Sequence, residues 1–298
     1  MVHPNGAVDN SRMPLPPLAT ELPPPALATL SRSQPLRTPC GDGAISWRSW
    51  GEGEPLVLLH GGSGSWTHWI RNVEVLAASG RRVLAPDLPG FGDSARPPAG
   101  QDADAIVEPL AQGLRALAGD APLDVMGFSF GGLTAALLAA AQPLRVRRLL
   151  LVGSPGLGLR SDRLPLVSWR QAGDAVGRDA AHRSNLATLM LHRAESVDDL
   201  AAAVQAANLP RDRMHRRRLA LTDILVRTLP AITCRIDAIY GDKDALYLNK
   251  LPQLAALLRS GPTFHELVLV PDAGHWVQYE AAEAFNREAL RLLATAAA

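Results

Sequence analysis

Short apolar runs alternate with longer amphipathic ones from about residue 43 onward. Strand-like runs at 44–50, 55–60, 82–86, 123–128, 146–152, 235–240 and 264–270, most of them apolar, predict strands. Between them, a period of 3.6 predicts helices over 67–79, 103–118, 130–142, 250–259 and 276–295. Apolar strands alternating with helices imply a mostly parallel sheet covered on both faces. Ligands of such sheets bind beyond the carboxyl ends of the strands.

The alternation breaks twice. Residues 1–39 hold nine prolines and no sustained periodicity. Proline interrupts helix interiors and sheet ladders, so 1–39 is expected to be a disordered or extended tail, dispensable for the fold. Its other readings are a proline-rich docking segment or an overlong start before Met13. Between 156 and 232 no strand run appears. Helical stretches are predicted near 163–176, 179–192, 197–208 and 213–229, the third opened by a Ser196/Asp199 capping pair. A helical insertion between two core strands reads as a cap over the strand ends. The expected organisation is therefore a tail (1–39), a first core part (40–155), a cap (156–232) and a second core part (233–298). Leu186, Leu189, Met190, Leu200 and Val204 are expected to pack the cap, one or two of them lining a pocket. The arginines at 211, 213, 216, 217 and 218 are expected to form a solvated face.

Composition narrows the partners. A net charge of +1 with 20% charged residues gives no sign of a nucleic-acid partner. Cys40 and Cys234 make no disulfide framework and fit a reducing compartment. The longest near-continuous apolar run, 133–141, is far short of the about 20 residues that span a bilayer. No basic region followed by an apolar core opens the chain. The expectation is a cytoplasmic protein with a small-molecule substrate, no nucleic acid and no membrane partner; the oligomeric state is left open.

The chemistry starts at Gly127-Phe128-Ser129-Phe130-Gly131, set between a strand run and a helical run. A G-x-S-x-G in that context is a nucleophile elbow, whose turn is too tight for side chains two positions either side of the serine. A serine hydroxyl needs a base. His275 sits in the loop after the 264–270 strand and is that candidate, against the plainer reading of a backbone-bonded loop histidine. The acid expected between them in chain order is Asp244, after the 235–240 strand; Asp242, the competitor, is expected to bond loop backbone. Upstream, His60-Gly61-Gly62-Ser63-Gly64 follows a strand and lets backbone amides approach a ligand. The amides of Phe130 and Gly62 are the expected oxyanion donors. Neither phosphate-binding glycine motif, G-x-x-x-x-G-K-[ST] or G-x-G-x-x-G, is present. Trp66, Trp69 and Trp276 either shape the pocket or pack the core.

His60-Gly61-Gly62, Asp87-Leu88-Pro89-Gly90-Phe91-Gly92-Asp93-Ser94, the Ser129 elbow, Gly241-Asp242-Lys243-Asp244 and Gly274-His275-Trp276 together resemble the α/β-hydrolase fold superfamily over about residues 43–296. The resemblance implies a mostly parallel central sheet with helices on both faces and a helical cap inserted after the sixth core strand. Within the superfamily, the Gly-His-Trp-Val-Gln-Tyr-Glu ending and the Ser-Phe-Gly-Gly elbow resemble serine hydrolases that include meta-cleavage-product (carbon–carbon bond) hydrolases and shade into carboxylesterases. Those carbon–carbon enzymes usually carry Asn before the nucleophile, where this chain has Phe128. They also use a cap arginine for the substrate carboxylate, whereas here the matching stretch has no arginine until Arg211.

The resulting expectation is a metal-free, cofactor-free serine hydrolase with Ser129, Asp244 and His275 as its triad, cleaving a small carboxylic ester through an acyl-enzyme. Ser63, Phe128, Trp276 and Arg211 are expected to touch substrate. The alternatives are carbon–carbon hydrolysis of a meta-cleavage-type diketone and, from another class, a non-catalytic receptor for a small apolar ligand on the same fold. Thioester and lactone substrates also stay open.

Overall fold

In the computed structural model, residues 15–159 and 163–294 are described. The chain opens with α1 (Pro24–Ser31) and β1 (Gln34–Cys40), continues through β2 (Gly43–Trp50), β3 (Glu54–Leu59), α2 (Val73–Ala78) and β4 (Arg81–Pro86), then α3 (Ala103–Ala118), β5 (Leu123–Phe128), α4 (Phe130–Ala141) and β6 (Val146–Val152). A helical excursion carries α5 (Ala175–Asn185), α6 (Asp199–Asn208) and α7 (Ile224–Thr228). The core resumes with β7 (Arg235–Gly241), α8 (Leu251–Arg259), β8 (Phe264–Val270), α9 (Val277–Glu280) and α10 (Ala282–Ala294).

The eight strands form one sheet in the order β1-β2-β4-β3-β5-β6-β7-β8. β1 and β2 are antiparallel to their neighbours and the rest run parallel. Sequence position dictates the pattern. β5 is buried at every residue, as a central strand covered on both faces must be. α10 buries Phe285, Ala289, Leu292 and Leu293, spaced i, i+4, i+7, i+8 on one face. α4 is Ala, Gly and Leu almost throughout and is buried nearly all round, packed on α3, β5 and β6. At the other end of the sheet, buried Asp124 on β5 receives Arg81 and both Nε and Nη2 of Arg147, each at 2.9 Å for the latter pair. The carboxyl ends of the parallel strands β3 to β8 meet on one side, and strand order reverses between β3 and β5, where a crevice is expected.

Two expectations need correction. The tail is folded from Leu15 onward, while residues 1–14 lie outside the described residues. Leu18, Leu22 and Ala26 are buried in the same cluster as Trp50 and Trp66. The prolines are accommodated rather than disruptive. Pro24 is at the first position of α1, where its missing N–H is no loss. Pro35 and Pro39 lie in β1, an edge strand, where a ladder donor is dispensable. The excursion is also less regular than its periodicity suggests. Residues 163–168 and 212–218 are irregular, and α5 runs into a π-turn over Leu186–Met190. α6 is opened by Asp198, whose Oδ1 accepts the Ala201 amide at 2.8 Å, rather than by Ser196. Among the described residues no helix is long and apolar enough to cross a membrane.

Candidate active site

Ser129 stands at the turn from β5 to α4 with φ +50° and ψ −120°. A non-glycine residue held there costs about 1–3 kcal/mol, tolerated only because the surroundings impose it. They do so through close approach. A Cβ on Gly127 would lie 2.3 Å from the Gly131 carbonyl, and one on Gly131 would lie 2.4 Å from those of Leu59 and His60. Both positions exclude any side chain, so the elbow presses directly against the end of β3.

The loop after β8 brings His275 to the elbow. Its Nε2 lies 2.9 Å from Ser129 Oγ, and its Nδ1 lies 2.8 Å from Asp244 Oδ2. A carboxylate only accepts, so Nδ1–H donates to Asp244, Nε2 is left as the acceptor and the Ser129 hydroxyl donates to it. Asp244 is 1% exposed and its Oδ1 accepts the Leu246 amide at 2.9 Å. Asp242 instead pairs with Lys243 at 2.9 Å and has no contact with His275. The three sequence-predicted residues therefore form one continuous hydrogen-bonded chain, drawn from the ends of β5, β7 and β8.

Above Ser129 lies a cavity of about 810 Å³ between these loops and the helical excursion. Gly62, Ser63, Phe128, Phe130 and Trp276 line it, as expected, and so do Leu189, Met190 and Val204 from the excursion. Trp66 and Trp69 are buried core instead. Phe130 occupies the first position of α4, where an amide has no acceptor within the helix. In the glycine loop the Gly61 amide donates to His68 Nδ1 at 3.2 Å, which leaves Gly62 as the next amide.

Arg211 is not at the cavity. It is 1% exposed, donating to Glu21 Oε2 at 2.8 Å and to the Pro16 carbonyl at 2.6 Å. The folded amino-terminal segment that the sequence hid is what takes this arginine. The solvated arginine face is corrected in the same way. Arg213 donates to the carbonyls of Phe91, Gly92 and Ser94, and Arg217 lines the cavity; Arg216 and Arg218 are exposed.

Two residues went unread in the sequence. His68 lines the cavity, sandwiched near Phe128 and Trp276. Burial first, then the neighbouring His60 and His275, hold it well below the ordinary histidine pKa, so it is neutral. With Nδ1 accepting from Gly61, its proton is on Nε2. Its W-x-H-W setting gave no spacing signal. Asp212 Oδ2 accepts Ser63 Oγ–H at 2.5 Å and Arg217 Nη1–H at 2.7 Å. That pairing spans 149 residues and no local pattern announces it. His60 serves the architecture. It donates from Nδ1 to the Gly61 carbonyl at 2.7 Å and accepts the Leu88 amide on Nε2 at 2.8 Å, its pKa pushed by burial down to about 4.

An α/β-hydrolase fold profile matches residues 54–282, most of the chain and every loop just described. The chain belongs to the α/β-hydrolase fold family. It is 33% identical over 273 residues to the dihydrolipoyllysine-residue acetyltransferase component of an acetoin cleaving system from Pseudomonas putida, covering 87% of this chain and 69% of that protein. It is 31% identical over 271 residues to a 2-hydroxymuconate semialdehyde hydrolase from Pseudomonas putida, covering 83% of this chain and 89% of that one. In fold it is similar to the carboxylesterase CesB from Bacillus subtilis, with a TM-score of 0.74 at 19% identity over 91% of this chain and 96% of that one. Hydrolases of carbon–carbon bonds and esterases thus both stand among its relatives and neighbours.

Proposed function

We propose that this α/β-hydrolase is a serine hydrolase that cleaves small carboxylic esters through an acyl-enzyme. The observation that carries the reading is the continuous chain from Asp244 through His275 to Ser129, ending in a largely apolar cavity. In the reaction, Ser129 Oγ attacks the ester carbonyl as its proton passes to His275 Nε2. Asp244 holds the imidazole in the productive tautomer and favours the imidazolium that forms. The amides of Phe130 and Gly62 receive the developing oxyanion, each such donor contributing about 2.7–4 kcal/mol. His275 then protonates the leaving alcohol, and water enters by the same route to release the acid.

The second reading, hydrolysis of a carbon–carbon bond in a diketone, is supported by the 31% identical semialdehyde hydrolase and by an arginine, Arg217, on the cavity wall. The ester reading is favoured because Arg217 is already paired with Asp212 and because Phe128, an apolar ring, precedes the nucleophile. A fluorophosphonate probe is expected to label the wild type at Ser129 and to leave Ser129→Ala unlabelled. Absence of labelling in the wild type overturns the serine mechanism. kcat/KM for p-nitrophenyl butyrate and for a 2-hydroxy-6-oxo dienoate on one preparation decides the bond, and a hundredfold preference for the dienoate would establish the second reading.

A further inference from the structure

Arg217 is the only Arg or Lys among the described residues that line the cavity. It lies beside the glycine loop, since a Cβ placed on Gly62 would meet its Cζ at 3.4 Å. Such a guanidinium, next to the proposed oxyanion amide, would ordinarily recruit an anionic substrate group through a paired, charge-assisted contact. Here that role is filled from within the chain. Asp212 Oδ2 takes Arg217 Nη1–H at 2.7 Å and Ser63 Oγ–H at 2.5 Å, its Oδ1 takes the Met214 amide at 2.9 Å, and Arg217 Nη2–H reaches Ser63 Oγ at 3.2 Å. Ser63 is itself held at a left-handed φ of +54°. The aspartate side chain is 10% exposed and the arginine 26%. The pair is therefore locked from three sides and largely out of water.

We propose that Asp212 is a specificity-determining residue, an internal counter-ion that cancels Arg217 at the cavity wall and restricts the site to uncharged acyl groups. A substrate carboxylate approaching Arg217 would meet Asp212 at the same cation, and like charges in a shared site repel. An uncharged carbonyl or hydroxyl can still accept one of the remaining guanidinium N–H groups. The catalytic meaning of this assignment rests on the ester-hydrolase reading, whereas its binding consequence stands apart from it.

The variant Asp212→Asn keeps the size of the side chain and an acceptor for the Met214 amide while removing the charge. Titration calorimetry with hexanoate and hexanamide is expected to show the hexanoate-to-hexanamide affinity ratio rising at least tenfold over wild type, and the gain is expected to vanish in Asp212→Asn/Arg217→Met. Kinetically, the ratio of kcat/KM for mono-p-nitrophenyl glutarate to that for p-nitrophenyl valerate is expected to rise by a similar factor. A general packing defect would lower both members of each pair and leave the ratios alone. An unchanged hexanoate ratio in folded Asp212→Asn overturns the counter-ion assignment. A raised hexanoate ratio in a protein that hydrolyses neither ester leaves Asp212 assigned and overturns the ester reading instead.

Discussion

The elbow around Ser129 and the arc that carries Asp212 and Arg217 border one cavity, yet they are held by opposite means. The elbow is fixed by exclusion. Glycines at 127 and 131 let backbone touch backbone, and a fully buried strand and a largely buried helix pin both sides of a strained serine. The arc at 209–218 has little regular structure and is fixed by charge: Arg211 to Glu21, Arg213 to three carbonyls of the Phe91–Ser94 turn, Arg217 to Asp212. Packing tolerates no variation but needs only local sequence. Ion pairs tolerate a loose backbone but need partners up to 190 residues away. The proposed nucleophile is thus set between two rigid elements, and the proposed selecting pair hangs on polar tethers.

The sharpest break in that contrast is Ser129→Ala. Turnover of p-nitrophenyl butyrate is expected to fall by about 10⁴–10⁶-fold, with the double variant Ser129→Ala/His275→Ala no worse, because the pair acts as one unit. The melting temperature is expected to stay within a few degrees, and multiplying losses would separate the two residues.

At the next level, Asp244→Asn is expected to cost at least tenfold more in kcat than Asp242→Asn. Only Asp244 meets His275; Asp242 holds Lys243 at the surface. Steady-state kinetics of the two variants decides, and equal losses would detach the acid from its role.

Truncation to begin at residue 34 probes the tethers. Leu18 and Leu22 leave the core and Arg211 loses both of its amino-terminal acceptors. Burial of the two leucines is worth about 3–6 kcal/mol, and at about 2–4 °C per kcal/mol for a chain of this size a fall near 10 °C is expected. A truncated protein that melts like the full chain would show that the segment is merely laid on the surface.

The smallest effect is a pH dependence. Asp87, at the carboxyl end of β4, is driven up to a pKa of about 6 by burial, against the Trp66 and Asp93 amides that favour its charge. Because the folded value exceeds the unfolded one, Asp87 contributes stability that is present below pH 4 and is lost as pH rises through 6. Asp87→Asn is therefore expected to gain on wild type in melting temperature between pH 4 and pH 7, by no more than about 3 kcal/mol equivalent. A constant difference across that range would remove burial as the governing cause.

The same contrast explains what could be read from the chain. Seven strands, the Ser129 elbow and the choice of His275 and Asp244 as its neighbours follow from local apolar runs and short motifs, which is the information that packing uses. β1 was missed because its two prolines read as a breaker, although an edge strand tolerates them. Arg211 was placed at the substrate, and Asp212 and His68 were passed over, because their roles come from partners in other parts of the chain. Periodicity could not show that 212–218 is irregular, since polar tethers rather than an apolar face hold it.

Glu280 has a side chain fully shielded from solvent, and its carboxylate gathers the amides of Gly274, His192 and Arg193 at 2.6, 3.0 and 2.6 Å, while Met190 O accepts the Trp276 amide at 2.7 Å. The arc 190–193 and the loop carrying His275 are thereby riveted together, and that stretch cannot swing aside without carrying His275 with it. Leu166 and Leu221 line the cavity while remaining 51% and 81% exposed, and neither belongs to the riveted stretch. Loosening the cavity wall at those two leucines therefore leaves His275 in place, whereas loosening it at 190–193 does not.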